Sequence, residues 1–311
     1  MQLYLPIAEM PVNMLVILGM GLAVGIISGM FGVGGGFLLT PLLIFLGIPP
    51  AVAVASVSGQ IAASSLSGTL SYWRRKAIDP KLAMVLLSGS IIGSALGVFA
   101  FALLRRIGQL DLFIGLSYVS LLGAIGMLLV IESGRTIARA KRSNATSSAT
   151  SEARLRPRAS RLPFMIHFPR ARITVSALPV IGIGLGIGFL GSMMGIGGGF
   201  ILVPALIYLL RVSTTVVIGT SSLQTLVTML VTVVLHAMTN ASVDVVLALL
   251  LMIGGVIGAQ FGARAALSMR GEELRFLLGL IVLAVGLRFL FVLVVQPDDP
   301  FSNTILEWMP R

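Results

Sequence analysis

The sequence Gly-Val-Gly-Gly-Gly-Phe begins at Gly32, and Gly-Ile-Gly-Gly-Gly-Phe begins at Gly195. In each copy three consecutive glycines stand directly before a short apolar segment: Gly34, Gly35 and Gly36, then Gly197, Gly198 and Gly199. A helix starting there presents backbone N–H groups at its positive dipole end, so the turn can hold an anion without any charged side chain. Glycine also lets backbone and ligand approach closely, with Phe37 and Phe200 next in line. A second group follows. Ser56, Gln60, Ser64, Ser67 and Ser71 recur at spacings of four and three, which is one helical face, with Ser58 beside them. Its counterpart carries Thr220, Gln224, Thr228 and Thr232, with Ser222 and Thr225 nearby. A polar stripe in a membrane helix must face protein or water. Lining a passage satisfies it, and so does bonding of the hydroxyls back to their own helix. The amides of Gln60 and Gln224 are harder to satisfy in hydrocarbon and occur in both copies. Arg288, about twelve residues into the last apolar segment, is a candidate counter-charge for an anion, or a side chain that snorkels outward. His236 is read as an interfacial group.

What is missing narrows the chemistry. Asp79, Asp111, Glu132, Asp244 and Glu272 all fall at segment ends, so no carboxylate lies well inside an apolar run. Cation pumps and many proton-coupled carriers need one there. No HExxH, P-loop or Ser/His/Asp set is present, so no enzymatic activity, cofactor or metal is expected. The partners expected are a small anionic substrate, the lipid bilayer and a coupling proton that the substrate itself could carry. Nucleic acid is not among them. The expected substrate-binding set is Gly34, Gly35, Gly36, Phe37, Ser56, Ser58, Gln60, Gly197, Gly198, Gly199, Phe200, Thr220, Ser222, Gln224 and Arg288.

The elements that must hold these residues follow from composition. Of 311 residues 57% are hydrophobic and 11% charged, and mean hydropathy is +1.04. A soluble domain carries roughly a quarter of its residues as Asp, Glu, Lys and Arg, so this chain is a polytopic membrane protein. The net charge of +11 is local: ten of the 22 basic residues lie within 135–172, a stretch with one acid, Glu152. Its Ser/Thr/Arg composition is that of a flexible basic loop attracted to anionic lipid. The first apolar run has neither the basic flank nor the cleavage pattern of a signal peptide and is read as a permanent span. There are no cysteines.

The glycine motifs belong to a longer repeat. At an offset of 163 Phe37 matches Phe200, Leu39 matches Leu202 and Pro41 matches Pro204; Ser58 and Gln60 match Ser222 and Gln224 at 164; Gly89, Gly93 and Gly97 match Gly254, Gly258 and Gly262 at 165. The chain is a tandem duplication. Each half divides into five apolar segments, near 12–31, 35–47, 51–73, 82–104 and 111–131, then 174–193, 198–210, 214–238, 245–267 and 276–295. The second segment of each set is short, since 13 residues of helix rise only about 20 Å. If all ten cross, the linker side collects 18 basic residues and the other side three, with Arg288 inside a span, as the positive-inside rule prefers. Five crossings per half invert one half relative to the other, a transporter architecture. The expected fold is therefore all-α and polytopic, with two inverted repeats of about five helical segments, the second a short helix after a Gly-rich turn. The expected divisions are an outside tail 1–11, repeat 12–132, cytoplasmic linker 133–172, repeat 173–295 and an outside tail 296–311. The glycine faces at 89–97 and 254–262 are read as helix-packing seams.

The run from Gly29 through Phe37 to Pro41, continuing through Gly47-Ile-Pro-Pro50 to Gln60, resembles the TauE/SafE sulfite-exporter family. Its second copy, Gly195 to Pro204 and Gly219 to Gln224, resembles that family's second module. The resemblance covers nearly everything except the linker and the tails. It implies a multi-pass transporter of the bacterial cytoplasmic membrane for sulfite or an organosulfonate such as sulfoacetate, working in the direction of export. Leu210-Arg-Val-Ser213 stands where the first half has Gly47-Ile-Pro-Pro50, and the basic linker is longer than the family needs. The same frame also allows a passive anion channel, or a membrane sensor that uses the linker to recruit a partner.

Overall fold

The computed structural model describes residues 2–31, 34–74, 76–142, 165–171, 173–210, 214–265 and 271–294. The expected linker is therefore described only at its ends, and the expected tail 296–311 lies outside the described residues. In the first half a hairpin, β1 (Gln2–Leu5) and β2 (Met10–Asn13), leads into α1 (Met14–Phe31), α2 (Gly36–Phe45), α3 (Pro50–Arg74), α4 (Pro80–Ile107) and α5 (Leu110–Arg142). The second half repeats the order: β3 (Met165–Phe168), β4 (Ile173–Ser176), α6 (Ala177–Met194), α7 (Gly199–Leu210), α8 (Thr214–Asn240), α9 (Val245–Ala265) and α10 (Gly271–Val294).

The molecule is an all-α polytopic membrane protein with two small hairpins attached. Among the described residues six helices are long and apolar enough to span a bilayer, namely Pro50–Arg74, Pro80–Ile107, Leu110–Ile131, Ala177–Met194, Val216–Asn240 and Val245–Gly262. Met14–Met30, Gly36–Phe45 and Phe276–Phe291 are shorter apolar helices. Outward faces are apolar, with Phe99, Leu128 and Phe261 exposed, which suits contact with lipid.

Three expectations about boundaries need correction. Residues 1–11, read as a tail, contribute the β1–β2 turn and most of an antiparallel ladder from Gln2↔Asn13 to Leu5↔Met10. Residues 165–171, read as linker, form the matching hairpin, from Met165↔Ser176 to Phe168↔Ile173. Helix α5 runs to Arg142, past the expected end at 132. The hairpins belong to the repeat: Leu5, Ala8 and Val12 match Phe168, Ala171 and Val175 at the same offset of 163, and all six are buried.

Packing follows the repeat too. Gly254, Gly258 and Gly262 of α9 lie against the α1 backbone at Leu18, Leu22 and Ile26, so these two helices run parallel. In the equivalent pair, Gly89 and Gly93 of α4 lie against the α6 backbone at Ile181 and Leu185, and Gly97 lies against Phe189. A Cβ at these glycines would collide with main-chain atoms, so they are close-packing seams. Repeat mates pack antiparallel. Gly59, Gly68 and Tyr72 of α3 meet Val233, Ser222 and Gly219 of α8, and Leu122, Gly126 and Val130 of α5 meet Gly286, Leu283 and Gly279 of α10.

Candidate substrate-binding centre

Each short helix starts from a turn that only glycine accommodates easily. Gly34 and Gly35 have φ of 92° and 69°, Gly195 and Gly197 have 65° and 74°, and a side chain there costs roughly 1–2 kcal/mol. No side chain caps the start of α2; within the turn Gly36 N donates to the Gly34 carbonyl at 2.9 Å, and Leu38 N and Leu39 N donate to the Gly35 carbonyl at 3.1 Å. Both short helices carry proline at their sixth position, Pro41 and Pro204. Proline has no N–H, so the carbonyls of Phe37 and Phe200 lack their helical i+4 donor.

The two turns meet at the middle of the molecule. The rings of Phe37 and Phe200 stack with centroids 4.4 Å apart and planes 10° from parallel. Gly36 faces the carbonyls of Gly195 and Ile196 so closely that a Cβ would fall 2.5 and 2.9 Å from them. Thr40 Oγ1 donates to the Gly195 carbonyl at 3.3 Å, and Tyr118 Oη donates to the Met194 carbonyl at 2.7 Å. Ile61 of α3 packs onto Gly34, Gly36 and Gly197 from the side. Gly35, Gly36, Phe37, Gly197, Gly198, Gly199 and Phe200 are all buried there, and Gly34 partly so.

The polar stripe divides into engaged and unengaged groups. Gln224 Nε2 donates to Ser90 Oγ at 2.7 Å and to Thr228 Oγ1 at 3.1 Å, and its Oε1 accepts from Thr225 Oγ1 at 3.4 Å. Its amide borders Gly198, 3.1 Å from where a Cβ would be. Gln60 is equally buried, yet among the described residues neither end of its amide has a hydrogen-bond partner. Ser58 and Ser222 donate to carbonyls of their own helices, Val54 at 2.8 Å and Ile218 at 2.8 Å. Ser56 Oγ accepts from Asp244 N at 3.0 Å, and Thr220 Oγ1 accepts from Asp79 N at 3.2 Å. These four hydroxyls have structural partners already. Arg288 stands apart: it is exposed on the outer face of α10, its guanidinium 5.7 Å from the centroid of the Phe45 ring. His236 is buried, with Nε2 2.9 Å from the Ser192 carbonyl and Nδ1 3.0 Å from the Asn240 amide nitrogen.

The sequence pattern singles out neither Thr40 nor Tyr118, and it marks Asp79 and Asp244 only as carboxylates at segment ends. Asp79 had a signal: Asp-Pro before an apolar run reads as an N-cap followed by proline at the first helical position. Its carboxylate does accept from Lys81 N and Leu82 N.

Parallel glycine seams, antiparallel repeat mates and buried polar groups in apolar helices define a multi-pass membrane protein of the transporter class. The chain belongs to the TauE/SafE sulfite exporter family, whose model matches residues 17–289. It is 30% identical over 274 residues to the probable membrane transporter protein YjnA of Bacillus subtilis, covering 87% of this chain and 97% of that protein. The probable membrane transporter protein YunE of the same organism is 25% identical over 288 residues, covering 90% and 98%. Sulfite exporter TauE/SafE family protein 3 of Arabidopsis thaliana is 30% identical over 118 residues, 36% of this chain and 25% of that protein. No solved structure matches.

Proposed function

We propose that this protein is a secondary transporter that exports a small sulfur-containing anion, sulfite or an organosulfonate such as sulfoacetate, across the bacterial cytoplasmic membrane. The observation that carries the reading is the meeting of the two glycine turns, with Phe37 stacked on Phe200 and Gly36 against the carbonyls of Gly195 and Ile196. Such a meeting suits two inverted halves, and the antiparallel packing of α3 on α8 and of α5 on α10 supports that relation. Half-helices starting near the bilayer midplane are how inverted-repeat carriers hold anions. Rocking of one half against the other alternates access, with the aromatic stack as one of the contacts between them. The sulfur in the assignment comes from the family and from the names of its members.

On this reading the anion sits at the turns around Gly35 and Gly198, with Gln60 within the same polar layer. The linker and the end of α3 that carries Arg74 lie on the cytoplasmic side, as the positive-inside rule requires. The test is counterflow of labelled sulfite in proteoliposomes, competed by sulfoacetate, taurine, thiosulfate, sulfate and nitrate. Saturable exchange competed by sulfur anions supports a carrier. No exchange from folded protein removes the sulfur assignment, and unsaturable flux without counterflow replaces the carrier by a channel.

A further inference from the structure

The two halves match in their glutamines but not in what surrounds them. Gln224 is saturated by Ser90, Thr228 and Thr225. At the repeat offsets the corresponding residues around Gln60 are Gly255, Ser64 and Ile61. Gly255 has no hydroxyl, Ser64 Oγ donates instead to the Ile61 carbonyl at 3.0 Å, and Ile61 is apolar. So the same side chain that is tied down in one half is left without a partner in the other. The remaining buried and unpartnered side-chain atoms among the described residues are the hydroxyls of Thr69, Ser94 and Ser242, none of which has a polar repeat mate; Gln60 has one. Glycine at 255 also makes the room, because a Cβ there would collide with Gln60 Nε2.

We propose that Gln60 is the substrate-reading amide of this carrier, that Gln224 is its structural counterpart, and that Gln60 selects an oxyanion carrying one proton. The inference rests on the carrier reading above. A carboxamide offers two N–H donors and one carbonyl acceptor. A fully deprotonated oxyanion, or a sulfonate, has only acceptor oxygens; it can satisfy Nε2 but faces Oε1 with a lone pair. An oxyanion with one O–H satisfies both ends at once. Leaving a buried acceptor unmatched is the kind of penalty that separates close analogues. Sulfite in its singly protonated form therefore fits, and the proton travels on the substrate rather than on the protein.

Among the described residues no side chain nearby is arranged to take over that proton. Among the elements packed on α3, helices α2 and α6 carry no titratable residue. On α8 His236 is held by the Ser192 carbonyl and Asn240, and on α5 Tyr118 is held by the Met194 carbonyl and Asp111 stands in the first turn. On α9 Arg264 lies in the exposed last turn. Tyr72 and Arg74 end α3 itself. Asp244, one turn from Gln60 at Ser56, has its carboxylate on Ile7 N and Leu247 N.

The test is sulfite counterflow with the full chain in proteoliposomes from about pH 6 to about pH 8.5, with protein-free liposomes subtracted and methanesulfonate as the unprotonatable competitor. For the native protein, half-saturating total sulfite should rise about tenfold for each pH unit once the singly protonated form becomes the minor species. Methanesulfonate should compete at least about tenfold more weakly than sulfite at the acid end. Gln60→Met, close in shape and apolar, should raise half-saturation about tenfold or more and abolish that discrimination. It should not lower the melting midpoint, since no hydrogen bond is lost. Gln224→Met should lower the melting midpoint and keep the pH profile. A pH-flat saturation curve, equal competition by methanesulfonate, or unchanged transport in Gln60→Met overturns the inference while the carrier stands. Absence of sulfite counterflow in the native protein removes the sulfur assignment and this inference with it.

Discussion

Asp79 and Asp244 occupy equivalent places in the two repeats, and each carboxylate holds the hairpin of the opposite half. Asp79 Oδ2 accepts from Arg170 N at 2.9 Å and Ala171 N at 3.0 Å, in the turn between β3 and β4. Asp244 Oδ2 accepts from Ile7 N at 3.0 Å, in the turn between β1 and β2. Both side chains are fully buried, and both use the other oxygen to cap a helix, Asp79 at Lys81 N and Leu82 N and Asp244 at Leu247 N. The halves are thus clasped twice, crosswise.

The clasps are unequal, and stability should show it. Asp79→Ala strands four backbone N–H groups and Asp244→Ala strands two. With a buried unmatched group costing about 1–3 kcal/mol and some regaining water near the surface, Asp79→Ala should cost about 3 kcal/mol and Asp244→Ala about 2. Thermal unfolding in detergent should rank them in that order, and limited proteolysis should open the hairpin of the opposite half in each variant.

The glycine turns call for a different measurement. Gly35 has positive φ, and a Cβ there would sit 3.0 Å from Ser28 Cβ. At Gly198 the same addition meets Ile187 Cγ2 at 2.6 Å and Gln224 Oε1 at 3.1 Å. Both neighbours are side chains that can yield, so Gly35→Ala and Gly198→Ala should fold, at a cost of about 1–2 kcal/mol for Gly35. They should lose anion binding, read by calorimetry or counterflow. Normal binding in both would move the site away from the turns.

How far the sequence could be read depends on where each determinant lies along it. The duplication, the ten segments and the glycine seams at Gly89 and Gly254 were legible because each is a local pattern of apolar runs and small residues. The hairpins were missed although Leu5, Ala8 and Val12 repeat as Phe168, Ala171 and Val175, because four-residue strands carry little periodicity beside long apolar helices. The difference between Gln60 and Gln224 was not legible. It is made by Ser90 and Gly255, and nothing local to either glutamine names a partner about 130 to 200 residues away. Arg288 shows the same limit: its depth in the segment is readable, but which face of α10 it occupies depends on α5 packing on the other.

The aromatic stack predicts an energetic coupling between the halves. Phe37→Leu and Phe200→Leu each remove one ring of the same pair, worth about 0.5–1.5 kcal/mol beyond buried area. The double variant should therefore lose less stability than the sum of the singles, by about that amount, in a double-mutant cycle on unfolding. Additive losses would mean that the rings contribute only as separate apolar groups.

The crossed arrangement also fixes which loops must emerge on opposite faces. Lys76 lies after α3, beside the Asp79 clasp, and Ala241 lies after α8, beside the Asp244 clasp; both are exposed. Since α3 and α8 are repeat mates packed antiparallel, the proposed inverted arrangement puts their C-terminal ends on opposite sides of the bilayer. The native chain has no cysteine, so single-cysteine labelling is unambiguous. In intact cells Ala241→Cys should react with a membrane-impermeant maleimide while Lys76→Cys should not, and both should react after lysis. Labelling of both in intact cells would contradict the inverted arrangement, whereas labelling of Lys76→Cys alone would keep the inversion and turn the basic side outward, against the charge distribution of residues 135–172.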